Sequence, residues 1–183
     1  MHALPRSFYD RDTVQVAHDL LGKLLIHRSG DIERIGKIVE VEAYLGPHDL
    51  AAHTSKGITP RTRVMFGPPG YAYIYLIYGM HHCMNVVTEA DGTGAAVLLR
   101  ALEPIANLSD NTNGPGRLCK AMGVDRGHYG HDLCSDDFFI SNDPHGQTFK
   151  IVERPRIGVD YAGEWAAKPL RFYIEGNRYI SKK

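Results

Sequence analysis

Turn formers run the whole length of this chain: nineteen glycines and ten prolines are dispersed over 183 residues rather than gathered into a tract. Dispersal of that kind predicts many turns between short strands, and it argues against a helical bundle or a disordered linker. With 43% hydrophobic and 23% charged residues, there is material for one buried core and little for a second. The expected fold class is α+β, a single mixed domain over residues 1–183. The longest charge-free run, 64–88, is broken by Gly67-Pro68-Pro69-Gly70 and by His81, His82 and Asn85, which excludes a spanning helix. The opening Met1-His2-Ala3-Leu4-Pro5-Arg6 has no secretory pattern. Cys83, Cys119 and Cys134 are odd in number and never form a Cys-x-x-Cys pair, so a reducing, cytoplasmic setting is expected rather than a disulfide framework or zinc knuckle.

Charge balances to zero, 21 basic against 21 acidic side chains, whereas nucleic-acid proteins often carry a basic excess. Distribution changes the reading. No acid lies between Asp49 and Glu89, while Lys56, Arg61 and Arg63 all do, so one local field is positive.

Periodicity orders the elements. Asp12 with Gln15 marks a helix start, Val14, Ala17, Leu20 and Leu21 recur at helical spacing, and Gly22 stops the run, predicting a helix over 13–21. Strands are expected over 23–27, 37–45, 71–77, 82–88 and 94–102, with short closing strands at 157–160, 170–174 and 179–181. A short helix is expected over 116–122, and 46–70 reads as loop.

Two constellations stand out. In Val41-Glu42-Ala43-Tyr44-Leu45, strand alternation puts a carboxylate and a phenol on one face, together with Glu40 and Ile38. A carboxylate on a rigid strand suits a general base, although an exposed strand face would show the same pair. In the second, Tyr71, Tyr73 and Tyr75 stripe one face of a strand, and Tyr78-Gly79-Met80-His81 turns the chain into its partner. An aromatic and a flexible apolar side chain around a glycine make a tip of the kind that wedges base steps apart from the minor groove.

These residues, taken in order, resemble the alkyladenine DNA glycosylase family, also called 3-methyladenine or methylpurine DNA glycosylases. The resemblance runs through Val41-Glu42-Ala43-Tyr44-Leu45-Gly46-Pro47 with Asp49, Ala51-Ala52-His53, Thr59-Pro60-Arg61, 73–85 and Leu98-Leu99-Arg100-Ala101-Leu102-Glu103-Pro104. It continues through Gly114-Pro115-Gly116-Arg117-Leu118-Cys119 and Arg156-Ile157-Gly158-Val159 to Lys168-Pro169-Leu170-Arg171-Phe172.

The resemblance implies a curved antiparallel β-sheet with a protruding β-hairpin, no metal or organic cofactor, and double-stranded DNA containing damaged purines as partner. It implies Glu42 as general base, with Arg100 helping to hold its water. Tyr44 and Tyr75 would sandwich the flipped base, His53 would close the pocket edge, and Asn85 would clash with the amine of normal guanine. Tyr78 would be the intercalating wedge. Thr59, Arg61, Met80, His81 and Arg117 would meet the DNA backbone or groove, with Lys168 and Arg171 as further phosphate candidates. Arg117 has a second argument, since it falls in the first turn of a helix opened by Gly114-Pro115-Gly116, where free backbone donors attract phosphate. A single domain of this kind needs no second protein to bind one lesion, so a monomer is expected.

Two departures qualify the match. Segment 105–113 is short where family members carry a longer basic insertion, and His81 stands where an aromatic residue is frequent. Two rival readings also remain: a metal hydrolase built on His81-His82 or on His128 and His131, and a noncatalytic nucleic-acid-binding module of similar fold. Glu42 separates the second from a glycosylase.

Overall fold

The computed structural model describes residues 1–109 and 111–183; Asp110, inside the short segment 105–113, lies outside the described residues. One antiparallel sheet organises the chain. Its strands are β1 (Leu24–Ser29), β2 (Ile32–Tyr44), β3 (Ala72–Ile77), β4 (His81–Thr88), β5 (Ala95–Ala106), β6 (Phe138–Ser141), β7 (Ile151–Arg154) and β8 (Arg171–Ile174). They lie in the order β3-β4-β5-β2-β1-β6, and β8 pairs with both β2 and β7. The 13-residue β2 is the hub. Its first half pairs with β1, its second half with β8, and its other edge with β5. The curved antiparallel sheet with a protruding hairpin, β3–β4, is the expected architecture.

Helices cover one face. α1 (Arg6–Tyr9) precedes α2 (Thr13–Leu20), which starts where the Asp12 carboxylate accepts from the Gln15 amide at 3.0 Å. α3 (Pro115–Met122) ends on Gly123, which takes the left-handed conformation at φ +72°. Val16, Ala17 and Leu20 of α2 and Leu118, Cys119 and Met122 of α3 are buried in the main core. There they join Val41, Ala43, Ile74, Met84, Val86, Val97 and Leu99 from the sheet. The opposite face carries a smaller cluster of Met65, Tyr73, Val87 and Ala96, in which Met65 comes from a short 3-10 helix over Arg63–Phe66.

The structure corrects several expectations. Residues 157–160 are not a strand: Gly158 sits at φ +75° and breaks the extended run just before a 3-10 stretch over Asp160–Ala167. Residues 179–181 do not join the ladder either, because the Ser181 amide donates to the Glu40 carboxylate at 2.5 Å instead. β2 begins at Ile32 rather than 37, its polar end paired with the polar end of β1 through Arg28 and Glu33 at 2.6 Å. β5 runs on to Ala106 through Pro104, which is tolerated because the β2 register shifts beside it. Strands β6 and β7 and helix α1 were not legible as elements. Ile38 does not share the face of Glu40 as strict alternation requires. The register shifts between Ile38 and Glu40, and Ile38 packs with Val39 and Val41 in the main core.

Candidate active site

One row of the sheet builds the site. Tyr73 of β3 pairs with Asn85 of β4, Asn85 with Leu98 of β5, Leu98 with Glu42 of β2, and Glu42 with Arg171 of β8. Directly opposed residues in a ladder point to the same face. Register alone therefore places Tyr73, Asn85, Leu98 and Glu42 together, although they are far apart in sequence. Steps of two along each strand add Tyr44, Tyr75, Cys83 and Arg100. All of these line one pocket of about 400 Å³, with His53 and Arg61 from the loop and Ile157, Val159 and Tyr161 closing the far side. Tyr78 and Pro115 stand at its margin.

Glu42 is buried yet fully engaged. Its Oε2 accepts from the Tyr44 hydroxyl at 2.7 Å, and its Oε1 accepts from the Ile157 amide at 2.8 Å. Arg100 Nη1 lies 3.3 Å from Oε1. Three donors around one carboxylate satisfy its oxygens in a place where an unpartnered polar group would be costly. Burial, and then the charge of Glu42, push the Tyr44 phenol well above its ordinary value, so Tyr44 stays a donor.

A second carboxylate stands behind the first. Glu40 is buried and receives Arg100 Nε at 3.3 Å, Arg171 Nη1 at 3.0 Å and the Ser181 hydroxyl at 2.9 Å. Burial pulls Arg100 down, but Glu42 and then Glu40 more than offset it and hold the guanidinium charged. On the other flank Arg156 makes a two-pronged pair with Asp49 at 2.6 and 2.9 Å. Its guanidinium carbon lies 4.7 Å from the centre of the Tyr44 ring.

Tyr75 forms the opposite wall, its phenol raised chiefly by burial. His53 meets the Tyr75 ring edge-on at 4.6 Å, and its Nδ1 lies 2.9 Å from the Tyr73 hydroxyl. Burial, then the charge of Arg61, lower His53 to about 4, so the imidazole is neutral at pH 7. Arg61 lies over Tyr75 at 5.2 Å. The buried Asn85 amide donates to the Tyr73 carbonyl at 3.2 Å.

The hairpin tip stands clear of the protein. Tyr78 is 85% exposed and Met80 71%. Tyr78 and Gly79 both take positive φ, 52° and 69°, in a turn closed by the Met80 amide on the Ile77 carbonyl at 3.3 Å. His81 leans on the first turn of α3, where a Cβ on Gly116 would come within 3.1 Å of its own. Arg117, in that same turn, is exposed and bonds Asn113 at 2.9 Å. The Thr59 hydroxyl is turned inward, 3.1 Å from that of Thr62.

Not every predicted residue joins the site. Arg171 is 4% exposed and bound to Glu40, so it is removed from the phosphate candidates. Lys168 lies with its ammonium 3.6 Å from the Trp165 ring centre. The metal rival fails on its donor set: among the described residues no group of three or more His, Cys, Asp or Glu side chains could hold an ion. His128 turns instead to His27, Nε2 to Nε2 at 3.3 Å. Sequence reasoning gave no site role to Glu40 or Tyr161, nor to Asp49 and Arg156, which it met only as parts of the family motif. The alternation 40, 42, 44 was the one available signal, and it pointed to Glu40 only.

An anchored carboxylate and several aromatic rings thus line one pocket beside a hairpin whose tip, Tyr78 and Met80, stands in solvent. The chain belongs to the methylpurine-DNA glycosylase family, whose family model matches residues 7–178. A Legionella pneumophila (strain Lens) protein named "Putative 3-methyladenine DNA glycosylase" is 64% identical over the whole of both chains. Proteins of the same name from Myxococcus xanthus (strain DK1622) and Anaeromyxobacter sp. (strain Fw109-5) are each 53% identical. They cover 100% and 98% of this chain and 95% and 92% of their own.

Proposed function

We propose that this protein excises alkylated or deaminated purines, 3-methyladenine among them, from double-stranded DNA by hydrolysing the N-glycosidic bond, leaving an abasic site. The observation that carries the reading is Glu42, fixed by three donors on the wall of the one pocket that also holds Tyr44 and Tyr75. Flipping a nucleotide costs a few kcal/mol, least at a damaged pair. Tyr78 at the exposed tip fills the gap in the stack, and the two tyrosines return energy by stacking on the base.

A purine alkylated at N3 or N7 is cationic and already a good leaving group. Facing it are a carboxylate, two aromatic rings and a neutral His53, a set that attracts a cation and adds no proton of its own at pH 7. As the bond to the sugar lengthens, positive charge grows on the sugar. The Glu42 carboxylate stabilises that charge and takes a proton from the attacking water, whose oxygen bonds to C1′ as the base departs with the bonding electrons. Arg100 touches Glu42 and Glu40 together and so holds the carboxylate toward the water. No lysine lines the pocket, in keeping with water rather than an amine as nucleophile. Asn85, locked on the Tyr73 carbonyl, limits the room for the exocyclic amine of guanine. The protein acts as a monomeric single domain on this reading.

The test is release of free 3-methyladenine from alkylated duplex DNA. Wild type releases it, and Glu42→Gln loses roughly 10²–10⁴ in rate while still binding damaged duplex. Equal rates in the two proteins would remove Glu42 from the chemistry, and no release by wild type would leave only a binding module.

A further inference from the structure

We infer that a second cavity, on the outer edge of the hairpin, is a binding subsite for a DNA backbone phosphate. The inference rests on the glycosylase reading and deepens it by extending the footprint of the DNA beyond the flipped base. The cavity, about 510 Å³, is lined by Pro60, Arg61, Ile74, Leu76, Arg126 and Tyr129, and it shares Tyr75 as well as Arg61 with the base pocket.

Backbone parity supplies the first argument. β3 is the last strand of its sheet. Tyr71 turns its carbonyl to the Val87 amide of the β4 side, at 2.9 Å, whereas Ala72 turns outward, donating to the His131 carbonyl at 2.9 Å and accepting from the Gly130 amide at 2.8 Å. Alternation then directs the amides of Ile74 and Leu76 outward too. Both line the cavity, past the 130–131 segment and on the side where the Arg126–His128 turn packs against β3. These are open-edge donors of the kind a sheet normally pairs, covers or blunts.

Charge supplies the second. Arg61 and Arg126 both line the cavity and both are exposed, and no acidic side chain lines it with them. Neither guanidinium is in an ion pair among the described residues, unlike Arg6, Arg11, Arg28, Arg100, Arg156 and Arg171. Two planar cations without acidic partners, beside outward amides, form a donor set matched to a phosphodiester.

Rigidity supplies the third. The Tyr129 hydroxyl bonds the carbonyls of Pro60 and Arg61, both at 3.1 Å, and so pins the Arg61 loop to the turn that carries Arg126. Arg61 lines both cavities, its guanidinium over the Tyr75 ring that the two share. A strand whose base lies in the first pocket, beside a wedge at Tyr78, has its adjoining phosphates within reach of the second. An extended acidic peptide could also add to an open strand edge, but it would not account for a cation shared with the base pocket.

The test is the salt dependence of binding to duplex DNA carrying one tetrahydrofuran abasic-site analogue. Loss of one phosphate contact lowers the slope of log K against log salt by about 0.9. Arg126→Ala is expected to show that drop, while Arg63→Ala, on the same stretch as Arg61 but outside both cavities, keeps the wild-type slope. An unchanged slope for Arg126→Ala would overturn the subsite. So would an equal drop in Arg63→Ala, which would reveal a diffuse field. If the Ile74 and Leu76 amide signals shift with an acidic peptide and not with the duplex, the edge belongs to a protein partner and the inference also fails. Wild-type base release, measured in parallel, separates this outcome from failure of the glycosylase reading itself.

Discussion

At the scale of single residues, burial is the largest influence on the protonation of the pocket's histidine and tyrosines, and His53 is the clearest case. Its value falls from 6.5 to about 4, first by burial and then by Arg61. Between pH 6.5 and 4 the unfolded chain binds a proton here that the folded chain refuses, so this group's contribution to stability is whole above pH 6.5 and declines as pH falls toward 4. His53→Gln removes that decline. Urea unfolding at pH 7 and pH 5 should show wild type losing more on acidification than the variant, and parallel losses would contradict the assignment. Glu42 and Tyr44 were readable as a pair because strand alternation is a local rule. Arg156 and Asp49 were not, because only the fold brings residues 107 positions apart into contact.

At the scale of elements, the hairpin β3–β4 combines legible and illegible features. The tyrosine stripe follows from period two, and Tyr73 is buried with Met65 on the site face as that period requires. The turn at Gly79 was also readable. What sequence did not disclose is that Tyr78 itself takes φ 52°, a conformation that costs a bulky residue about 1–2 kcal/mol. Strain of this kind is retained where function needs the side chain. Tyr78→Gly is therefore expected to stabilise the fold by about 1 kcal/mol in chemical denaturation and to weaken binding to a lesion-bearing duplex at the same time. A variant that lost both stability and binding would show that the ring serves packing rather than the DNA. The closing segment made the opposite error: residues 179–181 looked like a strand by composition, but the Glu40 carboxylate outcompeted a ladder partner for the Ser181 amide.

For the molecule as a whole, zero net charge conceals an internal arrangement. Six of its charges, Glu40, Glu42, Asp49, Arg100, Arg156 and Arg171, are buried together and balance three against three. Buried ions of this kind add little net stability when complete, but each becomes expensive when a partner is removed. The element order gave no hint of this network, since it joins β2, β5 and β8 to the segment after β8. Ser181 reaches it from the closing segment: its hydroxyl donates to Glu40 Oε1 at 2.9 Å and accepts from Arg100 Nη2 at 3.2 Å. Ser181→Ala leaves the main-chain bond but strips Glu40 and Arg100 of one partner each, at about 1–3 kcal/mol by denaturation. Because Arg100 also holds Glu42, the maximal rate of base release should fall several-fold with little change in the half-saturating DNA concentration, and Ser181→Thr should restore it. A loss of stability with the maximal rate intact would confine Ser181 to folding and cut the link from the closing segment to Glu42.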